Sequence, residues 1–162
     1  MFNMKHKLVY FIALFLLILV TGVFWGTWFT LTRSIEDFSA EEFIHIGKII
    51  IANVAVPMAI IMPACILFLL ISLIIYRKKK TTGFYLGIVS LILIILVLLI
   101  TLIVLVPIDN EIKTWTASTV PQNFENIRNK WKTFHAMRTF ISLASFSFFA
   151  ISLLDYRKAT DL

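Results

Sequence analysis

Four long stretches of the chain carry almost no polar position, and no period of two or of 3.6 residues divides an apolar from a polar face within them. Leu8 to Leu31 is the first, and it exceeds the roughly 20 residues that cross a hydrocarbon core at about 1.5 Å rise each. Ile49 to Tyr76 is the second, interrupted by Pro57 and Pro63, and Phe84 to Ile108 is the third, closed by Pro107. The fourth is weaker: Phe140 to Leu154 is too short alone and reaches full length only by taking in Phe134, His135 and Arg138. Helices that are apolar all round belong in lipid, so the pattern predicts an all-α fold, an integral membrane four-helix bundle. The expected spans are about 8–31, 49–76, 84–108 and 134–154, within a single transmembrane domain covering 1–162.

Composition agrees. Hydrophobic residues make up 60% and charged ones 15%, against about 45–50% and about 25% in a water-soluble domain, and mean hydropathy is +0.93. The only cysteine, Cys65, lies inside an apolar run, so no intrachain disulfide can form. Lys5-His6-Lys7 ahead of the first run imitates a secretory signal. That run continues through Trp25, Trp28 and Phe29 without a small-residue cleavage site, which predicts an uncleaved first helix.

A net charge of +6 would suit a nucleic-acid ligand if the cations formed a patch, but they gather at the ends of the apolar runs, where they set orientation instead. Lys5 and Lys7 flank the first span, Arg77, Lys78, Lys79 and Lys80 fill the tight second connection, and Arg157 and Lys158 follow the fourth span. The connections on the other side are longer, and acids such as Glu36, Asp37, Glu41, Glu42, Asp109, Glu111 and Glu125 dilute their cations. Both termini are therefore expected in the cytoplasm. Tyr76, Tyr85 and Tyr156 would mark the inner interface and Trp28 and Trp115 the outer one. Ser39 with Glu42 three residues later is a capping box that would start the second helix before the membrane. Gly22 and Gly26 would let another helix approach the first span closely.

Candidate chemistry concentrates in one region. Val106-Pro107-Ile108-Asp109-Asn110-Glu111-Ile112 is followed by Trp115 and then by Arg128, Trp131, His135 and Arg138. At about 100° per residue the last four fall within an arc of roughly 80°, so they share one helix face. A cation inside a span costs about 2.5–3.5 kcal/mol at mid-bilayer, so Arg138 is expected to face the bundle, with Asp109 or Glu111 as the nearest acids; snorkelling to outer headgroups is the plain alternative. Trp25 and Asn53 reach a similar depth and are candidates to line a cavity there, although helix packing explains both as well. His6, His45 and His135 are the only histidines, and no spacing resembles a zinc, haem or di-iron site. Phosphate-loop, H-E-x-x-H and G-x-S-x-G motifs are absent, as are the inverted repeats of a transporter. No metal and no cofactor are expected at the site.

The order V-P-I-D-N-E-I at 106–112, a Trp, then R-x2-W-x3-H-x2-R at 128–138 leading into a last apolar helix resembles the anthrone oxygenase-like membrane family. Pro107, Asn110, Arg128, Trp131, His135 and Arg138 match its usual positions, while Asp109 ahead of Asn110 departs from the commonest form. The resemblance implies oxygenation of a polycyclic phenolic anthrone to a quinone without metal or flavin. It implies His135 and Arg138 as catalytic residues, with Trp131, Arg128 and Asn110, and by depth Trp25 and Asn53, as substrate-binding residues. A non-catalytic membrane subunit or small-molecule-binding protein is the alternative. The expected location is a bacterial inner membrane. The expected partners are the lipid bilayer, a hydrophobic small molecule and a second copy of the chain, with no nucleic acid.

Overall fold

A computed structural model describes residues 4–76 and 81–158, and among them every regular element is helical. Helix α1 is Met4–Thr30 and passes through a 3-10 turn, Thr32–Asp37, to α2, Ala40–Tyr76. Helix α3, Thr82–Ile100, runs through a π turn, Thr101–Leu105, into α4, Val106–Thr114. A connection then leads to α5, Phe124–Lys158. The segments Met4–Asp37, Ala40–Ile75, Thr82–Thr114 and Phe124–Asp155 are each long and apolar enough to cross a membrane, and the protein is an integral membrane protein.

The helices outrun the apolar stretches. At 37 residues α2 is roughly 55 Å long against a hydrocarbon core of about 30 Å, and α5 begins at Phe124 rather than at Phe134. The surplus lies at one end, which carries the 31–39 and 115–123 connections. The capping box forms there as expected: the Ser39 backbone N–H donates to Glu42 Oε2 across 2.8 Å, and the Glu42 N–H returns to Ser39 Oγ across 3.3 Å. The basic segment Arg77 to Lys80 lies outside the described residues, as do the side chains of Tyr76, Tyr156, Arg157 and Lys158.

Helix α5 packs along α3 over most of its length, α1 packs against α2 and α5, and α2 meets α3 over a shorter stretch. Small hydroxyl side chains tie these faces together. Ser145 Oγ donates to the Ser90 carbonyl across 2.8 Å, Ser152 Oγ donates to the Gly83 carbonyl, and Thr139 Oγ1 reaches the Phe24 carbonyl. Close approach happens at Gly87, where an added Cβ would sit 2.7 Å from Leu73 Cδ2. It does not happen at Gly22 or Gly26, beside which nothing lies within 4 Å. Among the described residues the expected glycine contact is thus absent, because α1 turns Phe24 and Val20 inward and leaves the glycines outside.

Two apolar clusters fill the interior. One, deep in the bundle, contains Leu17, Phe24, Met62, Leu69, Ile94 and Phe149. The other, under the connections, contains Ile35, Phe43, Ile112, Trp115, Phe124 and Trp131. Trp115 is therefore buried rather than placed in an exposed belt, and its carbonyl accepts a hydrogen bond from Lys48 Nζ.

Candidate functional site

The junction of the two clusters is where the polar residues converge, and the local chemistry of Pro107 shapes one wall. A proline has no N–H and its ring crowds the carbonyl four residues back, so a regular α-helix cannot run through it undisturbed. The backbone widens instead: the Val106 N–H reaches five residues back to the Thr101 carbonyl, closing the π turn, and Thr101 Oγ1 donates to the Val97 carbonyl across 2.9 Å. Beyond it, α4 buries Ile108 and Ile112 and exposes Asn110 and Glu111. Asp109 faces α5, where its Oδ1 accepts the indole N–H of Trp131 across 3.0 Å.

Helix α5 contributes Trp131, His135 and Arg138, one and two turns apart on the inward face, and all three are buried. The His135 ring lies against Trp131 with centroids 3.6 Å apart and planes tilted by 31°. Arg138 Nη2 is 3.0 Å from His135 Nδ1. The same Nη2 is 3.4 Å from His135 Nε2; a guanidinium only donates, so the ring nitrogen that meets it is the unprotonated one of a neutral imidazole. On its other side Arg138 stacks over Phe24, its guanidinium carbon 4.4 Å from the ring centroid. The Thr139 hydroxyl, shared between the His135 and Phe24 carbonyls, fixes α1 against α5 at this level.

Arg138 is 8% exposed, its Nε has no hydrogen-bond partner, and among the described residues it forms no ion pair with a carboxylate. Asp109 is engaged by Trp131 and Glu111 points outward, so the expected acid partner is not in contact. The groups in contact with this buried cation are an imidazole and an aromatic face, and the Asp109 carboxylate acts on it from beyond contact distance.

These groups line a cavity of about 160 Å³. Asp109, Trp131, His135 and Arg138 form its polar end, where Phe24 lies against Arg138, and Met58, Met62 and Leu98 are among its apolar lining. All four membrane-crossing segments contribute. Among the described residues no group of three or more His, Cys, Asp or Glu side chains converges as a metal site would require.

The other sequence candidates lie elsewhere. Trp25 is 39% exposed and packs on Trp28 and Phe29 outside the bundle, and Phe24 takes its place in the cavity. Asn53 is exposed, although the adjoining Val54 and Ala55 line the cavity. Asn110 Oδ1 accepts from Lys113 Nζ across 3.0 Å at the surface. Arg128 holds the connection end, donating to the Phe38 carbonyl and stacking over Phe124. The Trp131, His135 and Arg138 face is thus assembled as the helical spacing predicts, whereas Phe24, Met58 and Thr101 carry no sequence signal that separates them from their apolar neighbours.

The architecture and the site define a four-helix integral membrane protein with a buried aromatic and cationic cavity. The anthrone oxygenase family model matches residues 49–148, more than half of the chain, and the protein belongs to that family. The matched stretch includes every cavity residue except Phe24. No curated protein and no solved structure matches the chain.

Proposed function

We propose that the protein is an oxygenase that converts a hydrophobic phenolic anthrone to the corresponding quinone with dioxygen as co-substrate and no cofactor. The observation that carries the reading is the contact between His135 and Arg138, a base and a permanent donor 3.0 Å apart beside Trp131 in a largely apolar cavity. Membership in the anthrone oxygenase family supports it.

The chemistry needs a base for the CH2 group opposite the ring carbonyl and a donor for the oxygen that becomes negative. When the substrate oxygen takes the Arg138 Nη2 hydrogen bond, the unprotonated ring nitrogen of His135 is released to accept the proton. Arg138 then stabilises the enolate, and the Trp131 face stacks on its rings. The electron-rich carbon gives one electron to dioxygen, and the two radicals combine to a peroxide, which takes back the proton from His135. Loss of the second C–H proton to the base, with cleavage of the O–O bond, leaves the new carbonyl and releases hydroxide, which is protonated to water. One dioxygen is consumed, and one quinone and one water are formed.

The test is dioxygen uptake by the purified protein in vesicles with 1,8-dihydroxyanthrone. Uptake and anthraquinone formation in equal amounts, well above the rate of autoxidation, are expected. Uptake no faster than in empty vesicles would refute catalysis and leave the chain as a small-molecule binder or subunit.

A further inference from the structure

We propose that the ligand of this site is bound half in the protein and half in the bilayer: the oxygen-bearing part of the ring system fills the cavity with that oxygen on Arg138, and the remainder lies in the gap between α2 and the 98–106 stretch. The inference rests on the reading of Arg138 and His135 as the oxygen-receiving end of the site.

Size is the first argument. The cavity of about 160 Å³ compares with about 150 Å³ for an apolar protein cavity that takes up one benzene. A fused or tailed phenol therefore enters only in part.

The wall that yields is the second. Ala55 and Ala59, one turn apart on α2, and Leu102 and Val106 across from them all line the cavity and are also exposed on the outside of the bundle. They form its mouth. Ala55 lies about 9 Å into the run that begins at Ile49, at roughly 1.5 Å per residue, so the mouth faces hydrocarbon and not headgroups.

The opposite end is closed. Between the polar end of the cavity and the connections stand Phe43 and Trp131 at 5.7 Å, Phe43 and Phe124 at 5.4 Å, and Trp115 and Phe124 at 6.3 Å between ring centroids. Phe43 and Trp131 are each 1% exposed. This aromatic lid leaves the gap facing the lipid as the way in. At the polar end Arg138 lines the cavity, and its guanidinium can donate there to a phenol or phenolate oxygen.

The test uses the full chain in detergent and compares melting temperatures with phenol, 4-octylphenol and 4-octylanisole. The wild type is expected to be stabilised saturably by phenol and more tightly by 4-octylphenol, and at least tenfold less tightly by 4-octylanisole, which has no acidic oxygen. Ala55→Trp fills the mouth, so it should weaken 4-octylphenol at least tenfold while phenol, which fits inside, is retained. Leu102→Trp carries the same comparison from the other rim if Ala55→Trp does not fold. Undiminished 4-octylphenol binding in both mouth variants would overturn the tail-in-lipid arrangement and leave the oxygenase reading standing. Equal binding of 4-octylphenol and 4-octylanisole would overturn the contact with Arg138. No stabilisation of the wild type by either phenol would sink the reading of the site itself.

Discussion

Trp131 donates its indole N–H to Asp109 across 3.0 Å, and this bond joins α5 to the short helix that follows the π turn. It holds the floor of the cavity in place, because the same Trp131 supports the His135 ring on its face. Asp109→Leu leaves the N–H of a buried tryptophan without an acceptor, which costs about 1–3 kcal/mol. The expected result is a clearly lowered melting temperature in detergent. Asp109→Asn keeps an acceptor oxygen and should fall within about 1 kcal/mol of the wild type. Equal losses in the two variants would show that the carboxylate charge, and not the hydrogen bond, matters.

His135→Gln separates chemistry from folding. Gln is of similar size and keeps a donor and an acceptor, yet it cannot take a proton near neutral pH. Dioxygen uptake should fall about 100-fold or more, the usual contribution of a general base, with the melting temperature unchanged. An unaltered rate would remove His135 as the base. Arg138→Ala is a poorer probe, since it takes a buried cation away from both Phe24 and His135.

Glycine substitutions report which helix faces are in contact. Gly87→Val drives new atoms into Leu73 and Ser152 and should destabilise by about 1–3 kcal/mol, as overpacking generally does. Gly22→Ala meets nothing within 4 Å and should leave the melting temperature unchanged. A large loss at Gly22 would mean that a second copy of the chain covers that face.

Cysteines introduced at Lys79 and Asn123 should react with a membrane-impermeant maleimide from opposite sides of the membrane, with Lys79 on the cytoplasmic side. Cys65 is fully buried and stays silent in this assay. Labelling of both positions from one side would rule out the four-span topology with both termini inside.

Ser39 and Glu42 show what local chemistry makes legible, because a capping box is made by neighbours in sequence and needs nothing from the rest of the chain. Trp131, His135 and Arg138 were legible for a similar reason: their spacing places them on one face of any helix, and polar residues in a span must look inward. Asp109 and Asn110 show the limit. The π turn ahead of Pro107 shifts the phase of everything after it, so that Asp109 meets Trp131 and Asn110 turns to the surface.

Trp25 and Phe24 mark the boundary most clearly. Adjacent residues in an all-apolar helix differ by about 100° in direction, and nothing in their hydropathy says which one faces the bundle. The chain by itself determined that there are four membrane-competent helices and which end of the bundle is polar, because backbone groups in lipid must be satisfied within each segment and charges must avoid its centre. Only the tertiary structure decided that Phe24 and not Trp25 lies under Arg138, that Gly87 and not Gly22 is the close contact, and that the cavity is lined by residues of α2 and of the 98–106 stretch that are also exposed outside the bundle. The reason is that lipid tails are as apolar as the protein interior, so hydropathy cannot separate inward from outward faces, and shape and hydrogen bonding between helices make that choice.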